Sequence, residues 1–560
     1  MIEHLHPGLL LIAAGVVAAP LRGHARGAVV LVAAATAIGV TLALPEGVLW
    51  RARFLDYDLS PFAVDRLSRL FALIFGIMAF GGGLFAYRQE NRLEVPAAMI
   101  YAGAAIGVSL AGDLATMFVF WELLAIASTA VIWSAGTAAA YRASLRYAAV
   151  HLAGGVLLMA GIAGHASATG SLLFERLALD SPAHWLILAG FLVNAGAWPL
   201  SAWLPDAYPE ASWSGTVFLS AFTTKAAVYA LLRGFPGTEL LIYVGLFMVF
   251  YGILYALLEN DMRRILAYSI VNQVGFMVTG IGIGTATALN GAASHAFAHI
   301  LYKALLLMSA GAVLHATGRR KCTDLGGLFR TMPLTTLCGT IGALAISGFP
   351  LTSGFVSKSM IANAAMTEHL SLVWYVLAAA SAGVFLHAGI KYPWFVFFQK
   401  DSGLRPPDPP LPMRLAMVLF AALCIGLGIW YEPLYALLPF AVDYVPYTGA
   451  HVVGQLQLLL FSGLAFFVML PALRRTLTIT LDTDWLYRKL APALARVAGG
   501  ALTATDSAMR GALRAAVVGV IDASRRGSSG NSDPSRLRTS GGMALWVAVM
   551  LAAYLIAYYV

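Results

Sequence analysis

A few ionisable residues stand in the middle of long apolar runs. Glu122 lies in ATMFVFWELLAIAS and Lys225 in FLSAFTTKAAVYALL. His295, His299 and Lys303 lie in ASHAFAHILYKALLLM, and His387 and Lys391 in GVFLHAGIKYPWF. His151 sits in YAAVHLAGG and Lys358 in the short segment TSGFVSKSMI. An ionisable group in a lipid interior is costly and is buried against partners or water, so each of these is a candidate for function. The chemistry such groups share is proton transfer. A proton does not cross hydrocarbon alone and needs titratable groups or waters within hydrogen-bond reach. Histidine titrates near neutrality, and lysine serves when burial and neighbouring positive charge ease the loss of its proton.

The spacing supports this reading. His295, His299 and Lys303 fall at i, i+4 and i+8, a polar stripe of about 12 Å on one helical face. His387 and Lys391 repeat the i, i+4 pattern. A carboxylate moving toward or away from a lysine switches that lysine between holding and releasing its proton, and Glu122 with Lys225 is a candidate switch pair. Plainer readings stay open: His151 as a structural hydrogen-bonding residue, Lys358 as a snorkelling side chain, Glu122 with Lys225 as a static buried ion pair, and the histidine–lysine stripe as packing.

The elements that position these residues follow from composition. Of 560 residues, 60% are hydrophobic and 11% charged, against roughly 25% charged in soluble proteins. Lipid must be the solvent of such a chain, and its spans must be helices or a closed barrel. The apolar runs exceed the roughly 10-residue strands of a barrel, so an all-α polytopic bundle is expected. Spans are read near 8–22, 27–45, 63–87, 95–111, 114–134, 142–166, 184–200, 213–233, 238–258, 263–284, 288–316, 332–348, 371–399, 412–431, 452–473 and 541–559. That is about sixteen, or about 14–16 with boundaries read to within several residues. Segment 354–366 reads as too short to cross and as a candidate re-entrant piece.

The basic loops follow odd-numbered spans: Arg22 and Arg26, Arg88 and Arg92, Arg142 and Arg146, Arg263 and Arg264, Arg319 to Lys321, Lys400 and Arg405, Arg474 and Arg475. The positive-inside rule puts that side in the cytoplasm and both termini outside. The start MIEHLHPG lacks a basic leader region, so the first span is read as retained rather than cleaved. Residues 482–540 break the pattern. Apolar residues recur at helical spacing to about Ile521, with Arg488, Arg496, Arg510 and Arg514 between them, which predicts an amphipathic helix along the membrane surface, on the order of 50 Å long. The alternative is a loose cytoplasmic loop. RRGSSGNSDPSRLR reads as a flexible linker.

Pro199, Pro205 and Pro209 interrupt GAWPLSAWLPDAYPEA, and Pro350 interrupts SGFPLTSGF. The similar phrases AWPLS (197–201) and GFPLT (348–352) suggest an internal repeat with broken helices at membrane depth. No metal or cofactor is expected. The cysteines Cys322, Cys338 and Cys424 lack CxxC spacing, GIGIG at 280–284 does not follow a strand, and no phosphate loop, haem or quinone signature is present. No nucleic-acid partner is expected.

These stretches together resemble the proton-translocating antiporter-like subunits shared by respiratory complex I and Mrp-type cation/proton antiporters. The resemblance rests on WLPDAYPEA (203–211), TTKAAVYALL (223–232), RRILAYSIVNQVGF (263–276), HAFAHILYKALLLMSAG (295–311), LGGLFRTMPLT (325–335), GFPLTSGFVSKSMI (348–361) and Glu122 in VFWELL, over roughly residues 60–400. DTDWLYR (482–488) and the overall length look most like the D-type subunits of Mrp antiporters. The resemblance implies two inverted five-span repeats with a polar axis through the membrane middle. It matches Glu122 and Lys225 to the first half-channel's glutamate–lysine pair, Lys303 to the central lysine beside His295 and His299, and Lys391 to the terminal lysine, with His387 in support. A further lysine usual before the PFHxWLP-like phrase is Asn194 here.

The implied parts are an N-terminal helical region (1–92), a first half-channel (93–260), a second (261–431), a core span (432–481), the amphipathic helix and linker (482–540) and a terminal span (541–560). The implied function is a proton-conducting subunit of a monovalent cation (sodium)/proton antiporter in a bacterial inner membrane, partnered by other membrane subunits and the lipid bilayer. Three alternatives remain: a pumping subunit of a complex I-like NADH:quinone oxidoreductase or membrane-bound hydrogenase, a partner in inorganic-carbon uptake, and a structural subunit that does not conduct.

Overall fold

Helix ends in this chain are written in its polar residues. Asp65 caps the helix Arg66–Phe85 in a reciprocal capping box with Ser68, and Asp113, Thr137, Ser181, Asp261 and Thr285 cap the helices that follow them. The computed structural model describes residues 5–471, 482–528, 546–552 and 554. Arg474 and Arg475, the linker beyond Ser528 and most of the span read at 541–559 lie outside the described residues.

The chain is a multi-pass membrane protein whose spans are helices. Among the described residues, eleven helical runs are long and apolar enough to cross a membrane, and four shorter apolar helices (Pro7–Ala18, Glu94–Leu110, Pro182–Ala195 and Pro333–Ser347) fall on further runs read from the sequence. Helix Ala286–Thr317 is almost wholly buried and packs against Met262–Ile283, Ser353–Thr367, Pro333–Ser347 and Leu411–Ile429. It is the hub of the bundle. Segment 354–366 forms the 15-residue helix Ser353–Thr367, whose Ser353–Ile361 portion is buried.

Close helix crossings use small residues. A side chain added at Gly245 would meet the Gly275 carbonyl at 2.6 Å, and one at Gly252 would meet the Tyr268 carbonyl at 2.6 Å. Helices Leu240–Leu258 and Met262–Ile283 can therefore pack with their backbones close together.

The expectation of helices alone omits one element. Gly47–Phe54 and Tyr57–Val64 pair as an antiparallel hairpin. It lies mostly between the spans read at 27–45 and 63–87 and carries Arg51, Arg53, Asp56 and Asp58, yet Phe62 is fully buried and Trp50 and Phe62 pack on His6.

Four interruptions matter for the site. Helix Pro182–Ala195 ends at Gly196 (φ 75°) and Pro333–Ser347 at Gly348 (φ 70°), both left-handed, ahead of the two proline phrases. The run 215–234 breaks into Gly215–Leu219 and Thr223–Gly234. The run 371–398 loosens into wider π turns at Phe385–Lys391 and Trp394–Phe398. The described chain divides into two compact units, Met1–Tyr487 and Arg488–Val560. In the second, Ala491–Ser528 is one helix of 38 residues, about 57 Å long at 1.5 Å per residue.

Candidate functional site

Lys225 begins the helix after the break at 220–222, and that break makes its site. Ser220 is the helix C-cap residue before it, and its carbonyl accepts Lys225 Nζ at 2.7 Å while Thr224 Oγ1 accepts at 3.0 Å. Lys225 is fully buried. Its neighbour Thr223 anchors a chain of hydroxyls. Thr223 Oγ1 lies 2.5 Å from Tyr101 Oη and 3.1 Å from Tyr147 Oη, and Tyr147 donates to Ser128 Oγ at 3.0 Å. Tyr101, Tyr147, Ser128 and Thr223 carry no charge, so a search for intramembrane charges passes over them. Two tyrosines, a serine and a threonine in apolar runs were the available signal.

Glu122 does not ion-pair with Lys225. Among the described residues no ion pair joins them, and Glu122 faces the neighbouring helix instead, where any side chain at Gly155 would collide with its carboxylate. The pairing weighed from sequence fails because a glutamate at this place on Leu114–Trp133 points at Ala138–Thr169, the next helix in the chain. Glu122 Oε1 has no protein partner among the described residues. Nor do both amide atoms of Asn194, His151 Nε2 and Ser201 Oγ. Val193, the residue before Asn194, packs on Gly154, beside the Gly155 that faces Glu122. His151 stacks on Tyr147 and pairs with the Tyr147 carbonyl at 2.9 Å, which favours its structural reading. Buried polar atoms left over by the protein are where ordered water is bound.

In the second half, Lys303 is fully buried and donates to Ser269 Oγ at 2.9 Å and the Leu266 carbonyl at 3.3 Å. One turn and two turns earlier on the same helix, His299 and His295 are also fully buried. His295 joins a small network. Its Nδ1 pairs with Ser357 Oγ at 3.1 Å and its Nε2 with Gln273 Oε1 at 3.2 Å, and Tyr302 donates to that same oxygen at 3.0 Å. His299 has no protein partner at either nitrogen among the described residues, so it is placed between the network and Lys303 with both nitrogens open to bridging water. The stripe is thus a polar seam between helices rather than apolar packing.

His387 and Lys391 do not line up as an α-helical i, i+4 pair, because the turn that carries them is π-helical. His387 Nδ1 pairs with the Gly383 carbonyl at 2.8 Å. Lys391 reaches another helix end and donates to the carbonyls of Ala256, Leu257 and Glu259 at 2.6, 2.6 and 2.7 Å. Those oxygens close Leu240–Leu258, where a cation is favoured by the helix dipole.

Lys358 donates to the Ile346 carbonyl at 2.9 Å and lies over the Phe276 ring. It also lines a cavity of about 710 Å³ shared with Ser359, Trp374, Tyr444, His451 and Gln455. Lys358 is buried, with its ammonium on a carbonyl rather than snorkelling to water, and stands one residue from Ser357, the partner of His295.

Outside the spans, Asp261 caps helix Met262–Ile283. Burial pushes its carboxyl up, and Arg320 at 2.8 Å pulls it back. Chemically, Lys225, Lys303 and Lys358 rest on hydroxyl and carbonyl oxygens, with no carboxylate in ion-pairing range among the described residues. A lysine held this way can release a proton without leaving a buried carboxylate unpaired.

Comparison with known proteins bears on the same residues. Residues 111–385 match the family model described as NADH:quinone oxidoreductase/Mrp antiporter, TM. The D-type subunit of the Na(+)/H(+) antiporter of Alkalihalophilus pseudofirmus is 31% identical over 406 residues, 67% of this chain and 82% of that protein. In fold, the chain is similar to one in the Mrp complex from Dietzia sp. DQ12-45-1b, with a TM-score of 0.65 and 20% identity over 82% of this chain and 95% of that one. It is also similar to a chain of the membrane-bound sulfane sulfur reductase, an archaeal respiratory membrane complex, with a TM-score of 0.71 and 23% identity over 99% of this chain and 100% of that one. These relatives are subunits of multi-subunit membrane assemblies.

Proposed function

The chain belongs to the family of membrane subunits shared by NADH:quinone oxidoreductases and Mrp antiporters, and from that premise we propose that it is a proton-conducting, D-type subunit of a monovalent cation/proton antiporter. The observation that carries this reading is the set of buried lysines Lys225, Lys303 and Lys391, each 0–1% exposed, on hydroxyl and carbonyl oxygens with buried histidines alongside. In this reading protons pass along Lys225, Lys303 and Lys391. His295, His299 and His387 support the relay, and Glu122 modulates the first half. The two half-channels, 93–260 and 261–431, are inverted repeats, and the two left-handed glycines before the proline phrases support that symmetry. The basic loops face the cytoplasm and both termini face outward, in a bacterial inner membrane. Sodium is the counter-transported cation, and the other antiporter subunits are the partners.

A second reading is a pumping subunit of a redox-driven complex, favoured by the family's double membership. Inverted vesicles carrying the chain with its neighbouring subunits separate the two. Adding sodium to vesicles with a preset pH gradient is expected to dissipate that gradient. A complex indifferent to sodium that builds a gradient when given an electron donor would overturn the antiporter reading.

A further inference from the structure

Two turns before Tyr101, on the same helix, stands a carboxyl group that the relay described so far does not use. Glu94 is fully buried. Ser214 donates to its Oε1, Gln89 Nε2 donates to both oxygens at 3.2 Å, and Ser134 donates to Oε2 at 3.4 Å. No ion pair is made to it among the described residues. The nearby cations are committed elsewhere. Arg26 donates to the carbonyls of Gln89 and Asn91, and Arg263 to those of Pro209, Ala211 and Ser212. Glu210 and Asp261, the other carboxylates around Arg263, share Arg320.

This surrounding suits a group that changes protonation state. A serine hydroxyl donates to a carboxylate and accepts from a carboxylic acid, so Ser214 satisfies Glu94 in either form, and Ser134, whose proton also reaches the Val131 carbonyl at 2.7 Å, is free to accept from the acid, whereas an arginine would satisfy only one. The guanidinium groups, held on the carbonyls of the same loops, balance negative charge without quenching it. Solvent is close, because Leu93 and Arg92 are exposed and Asn91, which donates to the Ser134 carbonyl at 2.5 Å, is half-buried. In the other direction, Ser134 ends the helix that carries Ser128, about 9 Å away along its axis at 1.5 Å per residue. Ser128 is the first member of the hydroxyl chain to Tyr147, Thr223 and Tyr101.

We infer that Glu94 takes up protons on the basic-loop side and passes them inward past Ser134, through water molecules bridging the roughly 9 Å to Ser128, to the Tyr147–Thr223–Tyr101 hydroxyls beside Lys225. This rests on the conduction reading above. At each step one oxygen gains a proton from one neighbour and loses one to the next, so charge and atoms balance along the chain.

The test uses the whole complex in vesicles, comparing wild type with Glu94→Gln and Glu94→Asp. Glutamine keeps the cradle's hydrogen bonds but cannot be loaded, and cation-driven proton flux is expected to fall about tenfold or more, with aspartate keeping most of it. Wild-type flux in Glu94→Gln overturns this inference and leaves the conduction reading standing, while absence of flux in wild type overturns the conduction reading. An infrared measurement on the solubilised complex is independent of transport: a deuterium-sensitive carboxylic-acid band is expected in a pH titration of wild type. That band should be absent in Glu94→Gln and displaced in Glu94→Asp, which covers the case in which the glutamine variant does not assemble. A titration spectrum that neither substitution alters overturns the inference.

Discussion

Tyr147 holds three helices together with one hydroxyl: it donates to Ser128, shares a hydrogen bond with Thr223, and its ring lies against Trp203 and His151. Removing the oxygen alone separates relay from packing. Tyr147→Phe keeps the ring contacts and is expected to cost about 1 kcal/mol of stability while lowering proton flux several-fold. Tyr101→Phe should act in the same direction, since Tyr101 accepts the Thr223 backbone N–H at 2.9 Å as well as meeting its side chain. Thermal melting and flux on the same preparations check both. The residues that carry charge were legible in the sequence because a lysine in VFLSAFTTKAAVYALL stands out against its surroundings. The hydroxyls and Glu94 were not. Tyrosine and serine are ordinary in apolar helices, and Glu94, two residues after Arg92, reads as part of a loop. Only the fold shows it buried among Gln89, Ser134 and Ser214.

Helices set what these side chains can reach. The close crossing at Gly245, Gly252 and Gly275 brings Leu240–Leu258 onto Met262–Ile283, and the first of these helices ends in the carbonyls that hold Lys391 while the second carries Ser269 and Gln273. Gly275→Leu overpacks this crossing and is expected to destabilise the chain by roughly 1–3 kcal/mol or more, read as a lower melting temperature of the solubilised complex. The same pair holds Asp482, which accepts from Tyr251 and Tyr268 at 2.6 Å each. Asp482→Ala removes both bonds and should speed hydrogen exchange across 482–487 while leaving the exchange of helix Ala286–Thr317 unchanged. In the loop after the π turns, hydrogen bonds from Arg405 and the Gly403 backbone hold Asp401 well below the usual carboxylate range. Its folded form is favoured above the unperturbed value near 3.9, so this clamp is present at neutral pH and is lost as pH falls below that value. Exchange of 401–405 in Asp401→Asn at neutral pH should match the wild type in acid, once intrinsic exchange rates are allowed for. Helix existence was readable from apolar length, and the two proline phrases marked two of the interruptions. The break at 220–222 and the π turn at Phe385–Lys391 carry no proline, and without them an ideal helix misplaces both Lys225 and Lys391.

For the whole molecule, the central helix Ala286–Thr317 carries His295, His299 and Lys303 in a place where nearly every side chain is buried, and Lys225 and Lys391 come to their sites from breaks in other helices. Composition alone made the chain a membrane bundle, whereas the hairpin Gly47–Phe54 and Tyr57–Val64 lay hidden behind its four charges. The central claim is that the buried lysines move protons, and Lys225→Ala and Lys303→Ala test it most directly. In inverted vesicles carrying the chain with its neighbouring subunits at matched expression, sodium-dependent collapse of a preset pH gradient is expected in wild type and in neither variant. Collapse at the wild-type rate in both variants would show that these lysines only hold the bundle together and would contradict the account.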